Sequence, residues 1–464
     1  MRTTKHRFEQ FQFYDYTGIK MHLEKMALKG WKLHKITRLY WEYRKIEPKK
    51  LTYTVTYFSE ASEFNPYHTD NQITFHEYCK NGGWNLVAEW AQMQIFCTED
   101  EDITPIDTEE SVKLKFIHKA MKKNFLPGNA LLMLVSILQF FLQIKNIKSD
   151  LVYQLSTGSS LFLTMVWFLI SIQTLYILIG YIVWYYKSKR SVNLGGLCAE
   201  SGRVNKKISN LLLVITIVLL VLAMWTMQNV WAPILGIVTI IVVMTLVFAI
   251  KNALKREEVS RKSNIIITTV SCVILMFIFT SVLTWGIMKG GNYGLHSNKP
   301  FETYTTTQPD GSTYTWDIYH DPLPLKVEDL QEVNYEHYSY ESTKRESFLV
   351  SQYIARQNSF PEGQLAPELN YAIVDVKLPV LFDICLKDYL EMYNYEWKKP
   401  DDERRYFKLT NDPLWHADAV YQLYTQYGSE GEYIVCWKNR IVYINYNKVP
   451  SVEQIAVTVK KLNK

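Results

Sequence analysis

The stretch LFLTMVWFLISIQTLYILIGYIVWY, Leu161–Tyr185, decides how the whole chain must be read. It holds no Asp, Glu, Lys, Arg or His, and a helix of this length, rising ~1.5 Å per residue, crosses the ~30 Å of hydrocarbon in a bilayer. Four more charge-free runs accompany it, at Pro127–Ile144, Asn210–Met227, Ala232–Ile250 and Asn264–Met288. Chain-wide averages, 21% charged residues and a net charge of +5, look soluble only because they mix two polar ends with an apolar middle. The expected fold class is a polytopic α-helical membrane protein with about five transmembrane helices. Residues 1–123 form an N-terminal cytosolic α+β domain, 124–289 the five-helix region, and 290–464 a C-terminal extracytoplasmic α+β domain.

Orientation follows from the flanking cations, because short cytoplasmic loops collect Lys and Arg. Lys113, Lys115, Lys119, Lys122 and Lys123 precede the first run; Lys187, Lys189, Arg190, Arg203, Lys206 and Lys207 separate the second from the third; Lys251, Lys255, Arg256, Arg261 and Lys262 separate the fourth from the fifth. The alternate loops carry only Lys145 and Lys148, nothing in Gln228–Pro233, and Lys289 after the last run. The pattern puts the N-terminus in the cytosol and the C-terminus outside. Met1 to Gln10 is charged and lacks an apolar core, so no cleavable signal peptide is expected. Trp167, Trp184, Tyr185, Tyr186, Trp225, Trp231 and Trp285 suit the interfacial belts. The first run is the weakest, since Pro127, Gly128 and Asn129 shorten its strongly apolar part.

Polar residues within the runs are few. Gln139 and Gln143 lie one turn apart on one helical face, and Gln173 stands in the next helix. They read as a polar path or, more simply, as interhelical hydrogen-bond glue. Ion-coupled transport usually needs a titratable group at membrane depth, and the runs hold none.

In the N-terminal part, Thr17 is placed to cap a helix whose Ile19, Leu23, Met26 and Ala27 share a face, and Gly30 suits its left-handed stop. Trp31 and Leu33 open a strand. Strands at 39–45 and 51–58 are joined by a Glu47-Pro48-Lys49-Lys50 turn, with Leu51, Tyr53, Val55 and Tyr57 alternating against threonines. The layout then recurs: a helix over Phe75–Asn81, a stop at Gly82-Gly83-Trp84, and strands at Leu86–Ala91 and Met93–Cys97. Superposing Gly30-Trp31 on Gly83-Trp84 also aligns Glu24 with Glu77 and Leu33 with Leu86, which suggests a diverged helix-Gly-Trp-strand duplication.

Several strings together resemble the bacterial domain of unknown function 2812: Phe13-Tyr14-Asp15-Tyr16-Thr17-Gly18-Ile19, the helix from His22 to Trp31, Glu47-Pro48-Lys49-Lys50-Leu51, Glu77-Tyr78-Cys79 with Gly83-Trp84, and Thr104-Pro105-Ile106. The resemblance covers about the first quarter of the chain and transfers no catalytic residue. Relatives of this kind often continue into membrane helices and resemble proteins encoded beside PadR-like regulators in Gram-positive bacteria, which implies a regulated membrane or envelope role. His76 and Cys79, with His68 upstream, invite a metal reading, but three ligands without a paired Cys-x-x-Cys favour packing, so no metal is expected.

In the C-terminal part, Gly290-Gly291-Asn292 releases the last helix, and strands at 303–307 and 312–316 flank a Pro309-Asp310-Gly311 turn. Helices are expected at Lys344–Gln357 and Pro379–Tyr393, a further one at the Ser451-x-x-Gln454 capping box, and a hairpin turning at Lys438-Asn439. Cys385 and Cys436 can pair outside the cytosol or stand as two buried thiols; sequence leaves both open. Trp415-His416-Ala417-Asp418 reads as a helix start rather than a catalytic group.

No Walker A loop, Rossmann fingerprint, His-Glu-x-x-His or Gly-x-Ser-x-Gly is present, so no catalytic residue, cofactor or enzymatic activity is expected. The cations sit in loops rather than on one domain face, which argues against a nucleic-acid partner. The expected partners are the lipid bilayer and a protein that meets the cytosolic domain. The expected function is non-enzymatic coupling of an extracytoplasmic domain to that cytosolic domain, in sensing or regulation at the cell membrane. The alternative is a passive carrier or a subunit of a membrane transport complex.

Overall fold

The computed structural model describes residues 3–9, 11–37, 40–200, 203–226, 231–289, 300–307, 313–333, 337–359, 366–392, 405–410 and 412–463. The chain divides into two compact units. One comprises Met1–Phe140, Met165–Leu220 and Trp231–Thr284; the other comprises Phe141–Thr164, Val221–Val230 and Trp285–Lys464.

The first unit opens with β1 (Thr4–Arg7), α1 (Tyr16–Leu28), β2 (Trp31–Ile36), β3 (Trp41–Lys45), β4 (Thr52–Tyr57), α2 (Asp70–Asn81), β5 (Asn85–Trp90) and β6 (Met93–Thr98). These strands form two antiparallel three-stranded sheets, β1-β3-β2 and β4-β6-β5, so each half runs strand, helix, strand, strand with its last strand in the centre. Each half also has one register shift, between Leu33 and Lys35 and between Leu86 and Ala88, at positions that the Gly-Trp superposition makes equivalent. The Glu47–Lys50 segment joins β3 to β4 as expected, but the two strands do not pair with each other. β3 pairs with β1 and β2, whereas β4 pairs with β6, and the Pro-containing turn carries the chain from one sheet to the other.

α1 buries Ile19, Leu23, Met26 and Ala27 against the sheets, as its 3.6-residue spacing requires. Its cap is Asp15 rather than Thr17: the carboxylate accepts from Gly18 N at 2.9 Å. Gly30 and Gly83 have φ of +77° and +85°, the left-handed conformation that ends each helix. Trp84 is a core anchor, with Nε1 donating to Thr104 O at 3.0 Å, while Trp31 is only half-buried.

Among the described residues, five helices are long and apolar enough to cross a membrane. They lie in α3 (Glu110–Ala120) continuing into α4 (Leu126–Ser149), α6 (Ser159–Asn193), α7 (Arg203–Trp225), α8 (Trp231–Arg256) and α9 (Arg261–Lys289), with the short α5 (Leu151–Thr157) between α4 and α6. Only 6–17% of each most apolar window is buried within the protein, which is what lipid-facing helices show and core helices do not. Pro127 does not interrupt the first span. A π-helical turn, Met121–Phe125, joins α3 to α4, and Asn129 Nδ2 donates to Phe125 O at 2.8 Å just past the proline.

The second unit pairs β7 (Glu302–Thr307) with β8 (Thr313–Ile318); the Pro309-Asp310-Gly311 turn and Gly290-Gly291-Asn292 lie outside the described residues. Then follow α10 (Val327–Leu330), β9 (Tyr338–Glu346), β10 (Val350–Ser359), β11 (Leu369–Val376), α11 (Phe382–Met392), β12 (Tyr406–Thr410), β13 (Ala419–Thr425), β14 (Gly428–Trp437), β15 (Arg440–Asn445) and α12 (Val452–Leu462). The last seven strands make an antiparallel sheet in the order β12-β13-β14-β15-β11-β10-β9. The helix expected at Lys344–Gln357 is instead the end of β9, a turn at Ser347–Leu349, and most of β10. Capped α12 packs on one sheet face through Ile455 and Leu462, beside Trp415, Val435 and Val442. The opposite face is covered by α11 and by α5 from between the first two spans, around Val152, Leu155, Cys385, Ile434 and Ile441.

Candidate functional site

Two seats, one in each unit, join a folded domain to helices of the membrane region. In the first unit, the loop before α1 places Tyr14 against the end of α6, its ring 4.9 Å from Trp184 and 5.4 Å from Tyr181. Burial pushes the Tyr14 hydroxyl up to about 12, so it stays neutral. His118 Nδ1 lies 2.6 Å from the Tyr181 hydroxyl, and its ring stacks on Tyr185 at 4.2 Å. Past α6 the chain is held by Glu110, which accepts from Cys198 N at 2.9 Å, and by Trp184 Nε1, which donates to Ala199 O at 2.7 Å. The α8–α9 turn is gripped as well. Lys251 pairs with Glu63 at 3.3 Å, and Asn264 Nδ2 donates to Phe64 O at 3.3 Å. A cavity of about 910 Å³, lined in part by Lys35, Tyr67, His68, Glu89, Lys251 and Lys255, opens beside this grip.

In the second unit α5 is clamped at both ends. Asp388 of α11 accepts from Val152 N at 3.1 Å, satisfying one of the free N–H groups of the first turn, and Ser347 Oγ donates to Leu155 O at 2.6 Å. Val152 and Ser156 are fully buried and Leu155 nearly so. Beside α5 lies Arg345, 6% exposed although it is a cation. Its Nη1 donates to Gln352 Oε1 at 3.1 Å, and Gln352 Nε2 donates in turn to the Tyr389 hydroxyl at 3.1 Å. The guanidinium sits 4.7 Å above the Tyr153 ring. Its Nε has no acceptor among the described residues, and neither does Asn370 Oδ1 have a donor. Both residues, with Asp150, Tyr153, Arg356 and Tyr443, line a cavity of about 600 Å³. Burial pushes the Asp150 and Asp388 carboxyls above the ordinary carboxylate range, each further raised by a neighbouring acid.

The residues that sequence singled out fall elsewhere. Gln139, Gln143 and Gln173 are each half-buried, and the polar contact between α4 and α6 in the first unit is a pair of hydroxyls, Ser136 and Ser171, 3.0 Å apart. Cys385 and Cys436 are free, buried thiols in one apolar cluster, pushed up to about 11 and about 12 by burial. His68 and His76 meet edge to face at 5.1 Å but bond to Glu89 and Gln94, while Cys79 is buried. No group of three His, Cys, Asp or Glu that could hold a metal occurs among the described residues. Trp415 to Asp418 is not a helix start: Trp415 ends a 3₁₀ turn as a core anchor, His416 is left-handed at φ +44°, and the chain enters β13. Arg345 had no sequence signal, since it sits within the segment read as a helix.

Residues 15–127 match the family described as "Protein of unknown function (DUF2812)", a stretch that covers the first domain from α1 onward and the start of α4. No curated protein and no solved structure matches the chain.

Proposed function

We propose, from the premise that this multi-pass chain carries an N-terminal DUF2812 domain, that it couples an extracytoplasmic domain to a cytosolic interaction domain in sensing or regulation at the cell membrane, without enzymatic activity. The seat of α5 carries the reading. The connection between α4 and α6 is part of the second domain's apolar core, so a change in that domain acts on the ends of two membrane helices rather than on a slack linker. The Tyr14–Trp184 contact gives the first domain the same kind of hold on α6 within its own unit. Lysines and arginines flanking the runs support a cytosolic first domain and an external second one.

Topology reporters fused after residues 123, 158, 207 and 464 of the chain test the placement, with inside, outside, inside and outside expected in turn. A photo-crosslinker on the exposed face of the first domain, in the full chain in cells, tests the coupling. Capture of a specific cytosolic partner supports it, and its absence counts decisively against it. The half-buried Gln139, Gln143 and Gln173 favour a second reading, a passive carrier or transport subunit. Replacing all three with Leu abolishes activity in that case and only perturbs stability in the first.

A further inference from the structure

The Arg345 cavity holds two complementary orphans: a buried donor, Arg345 Nε, and a buried acceptor, Asn370 Oδ1. A cation this buried normally meets a carboxylate, because the loss of hydration must be offset by an ion pair. Here Asp150 acts on the guanidinium through space, and the nearest contacts are the neutral Gln352 amide and the Tyr153 ring. The fork of an arginine matches a planar carboxylate, which takes two parallel N–H donors. The same wall carries Arg356 and Asp150, so an anionic group can meet the guanidinium side while an ammonium group meets the acid. The volume of about 600 Å³ fits the range of small-molecule sites, about 300–1,000 Å³.

We propose that this cavity binds a small zwitterion, an amino acid or short peptide, with its carboxylate on Arg345, an N–H on Asn370 Oδ1 and its ammonium facing Asp150. Tyr153 and Asp150 flank the start of α5, so the ligand touches the sheet and the α4–α6 connection together. The site thereby supplies the ligand class for the coupling reading on which it rests, while its test is independent of that reading.

The test is thermal unfolding of the full chain in detergent micelles, titrated with L-alanyl-L-alanine, with L-alanyl-L-alaninamide, which lacks the carboxylate, and with inorganic phosphate. The dipeptide gives a saturable rise in Tm, and the amide acts at least about tenfold more weakly. Arg345→Met leaves the unliganded Tm unchanged or higher, because an unpaired buried cation is removed, and abolishes the response. Asn370→Leu, which keeps the cation, weakens it. No saturable response at millimolar dipeptide, an equal response to phosphate, or an Arg345→Met chain that melts earlier yet still responds would overturn the assignment. A saturable response with no change in crosslinking from the first domain upholds the site and removes the coupling.

Discussion

Replacing Leu155 with Ala should undock α5 from the second domain without unfolding the domain. Leu155 is 6% exposed and packs in the cluster of Val152, Val350, Cys385 and Tyr389. Leu→Ala in a packed core costs about 2–5 kcal/mol, and a short helix at the margin of the sheet relaxes more readily than an interior strand, so about 2–3 kcal/mol is expected. At about 1.4 kcal/mol per decade, the docked population falls roughly 30- to 140-fold relative to the undocked one. In the docked state both clamps still form, because Asp388 holds the Val152 N–H and Ser347 holds the carbonyl of residue 155, backbone groups that the substitution leaves in place. Hydrogen exchange of the full chain in micelles reads the result: amides of residues 151–157 exchange faster by that factor, while β14 and β15, where Ile434, Ile441 and Ile444 are fully buried, keep their protection. If β14 and β15 lose protection by the same factor, α5 belongs to one cooperative core and cannot act as a separable coupling element. Unchanged exchange in α5 would refute the packing argument itself.

Gly30→Ala should lower the unfolding midpoint of the first domain by the equivalent of at least about 1–2 kcal/mol, because φ is +77° and the new Cβ would stand 2.9 Å from Ile46 O; a neutral result by fluorescence-monitored melting sinks the capping account. Asp388 gives a pH test. Burial raises its carboxyl in the folded chain, so its contribution is full below the ordinary carboxylate range, about pH 4, and shrinks as pH rises through the raised value. Wild type should therefore lose Tm relative to Asp388→Asn as pH rises above about 4; the opposite slope is incompatible with a raised carboxyl. Ser136→Ala together with Ser171→Ala should cost only about 0.6 kcal/mol, typical of a hydrogen bond between membrane helices, and leave the topology reporters unchanged.

Sequence was most legible where one physical signal acts alone. Charge-free length marked the five spans, because a single Lys or Asp at membrane depth is costly whatever surrounds it. The Ser451–Gln454 capping box, the apolar stripe of α1 and the Gly30 and Gly83 stops were readable because each is a local backbone requirement. Residues 344–357 were misread for a complementary reason. Helices cover both faces of the sheet, so β10 alternates weakly, and the Ser347–Leu349 turn contains no Gly, Pro or Asn to announce it. The Glu47–Lys50 turn was legible as a turn, but turn chemistry does not say which strands pair, so the split of β3 and β4 between two sheets was not. Arg345 was invisible as a site residue, since its burial depends on Tyr153 and α5, far away in sequence.

The join between α3 and α4 has a mechanical consequence. Glu110–Ser149 is a continuous helix of 40 residues, about 60 Å at 1.5 Å per residue and about twice the thickness of the hydrocarbon layer, so α3 of the first domain runs into the first span with no loop between them. Adding one residue near Lys123 would turn the face that α4 presents by about 100° relative to α3, whereas adding seven would return it to within about 20°. A chain whose output depends on the azimuth of that helix should therefore fail and recover with the helical phase of the insertion, not with its length.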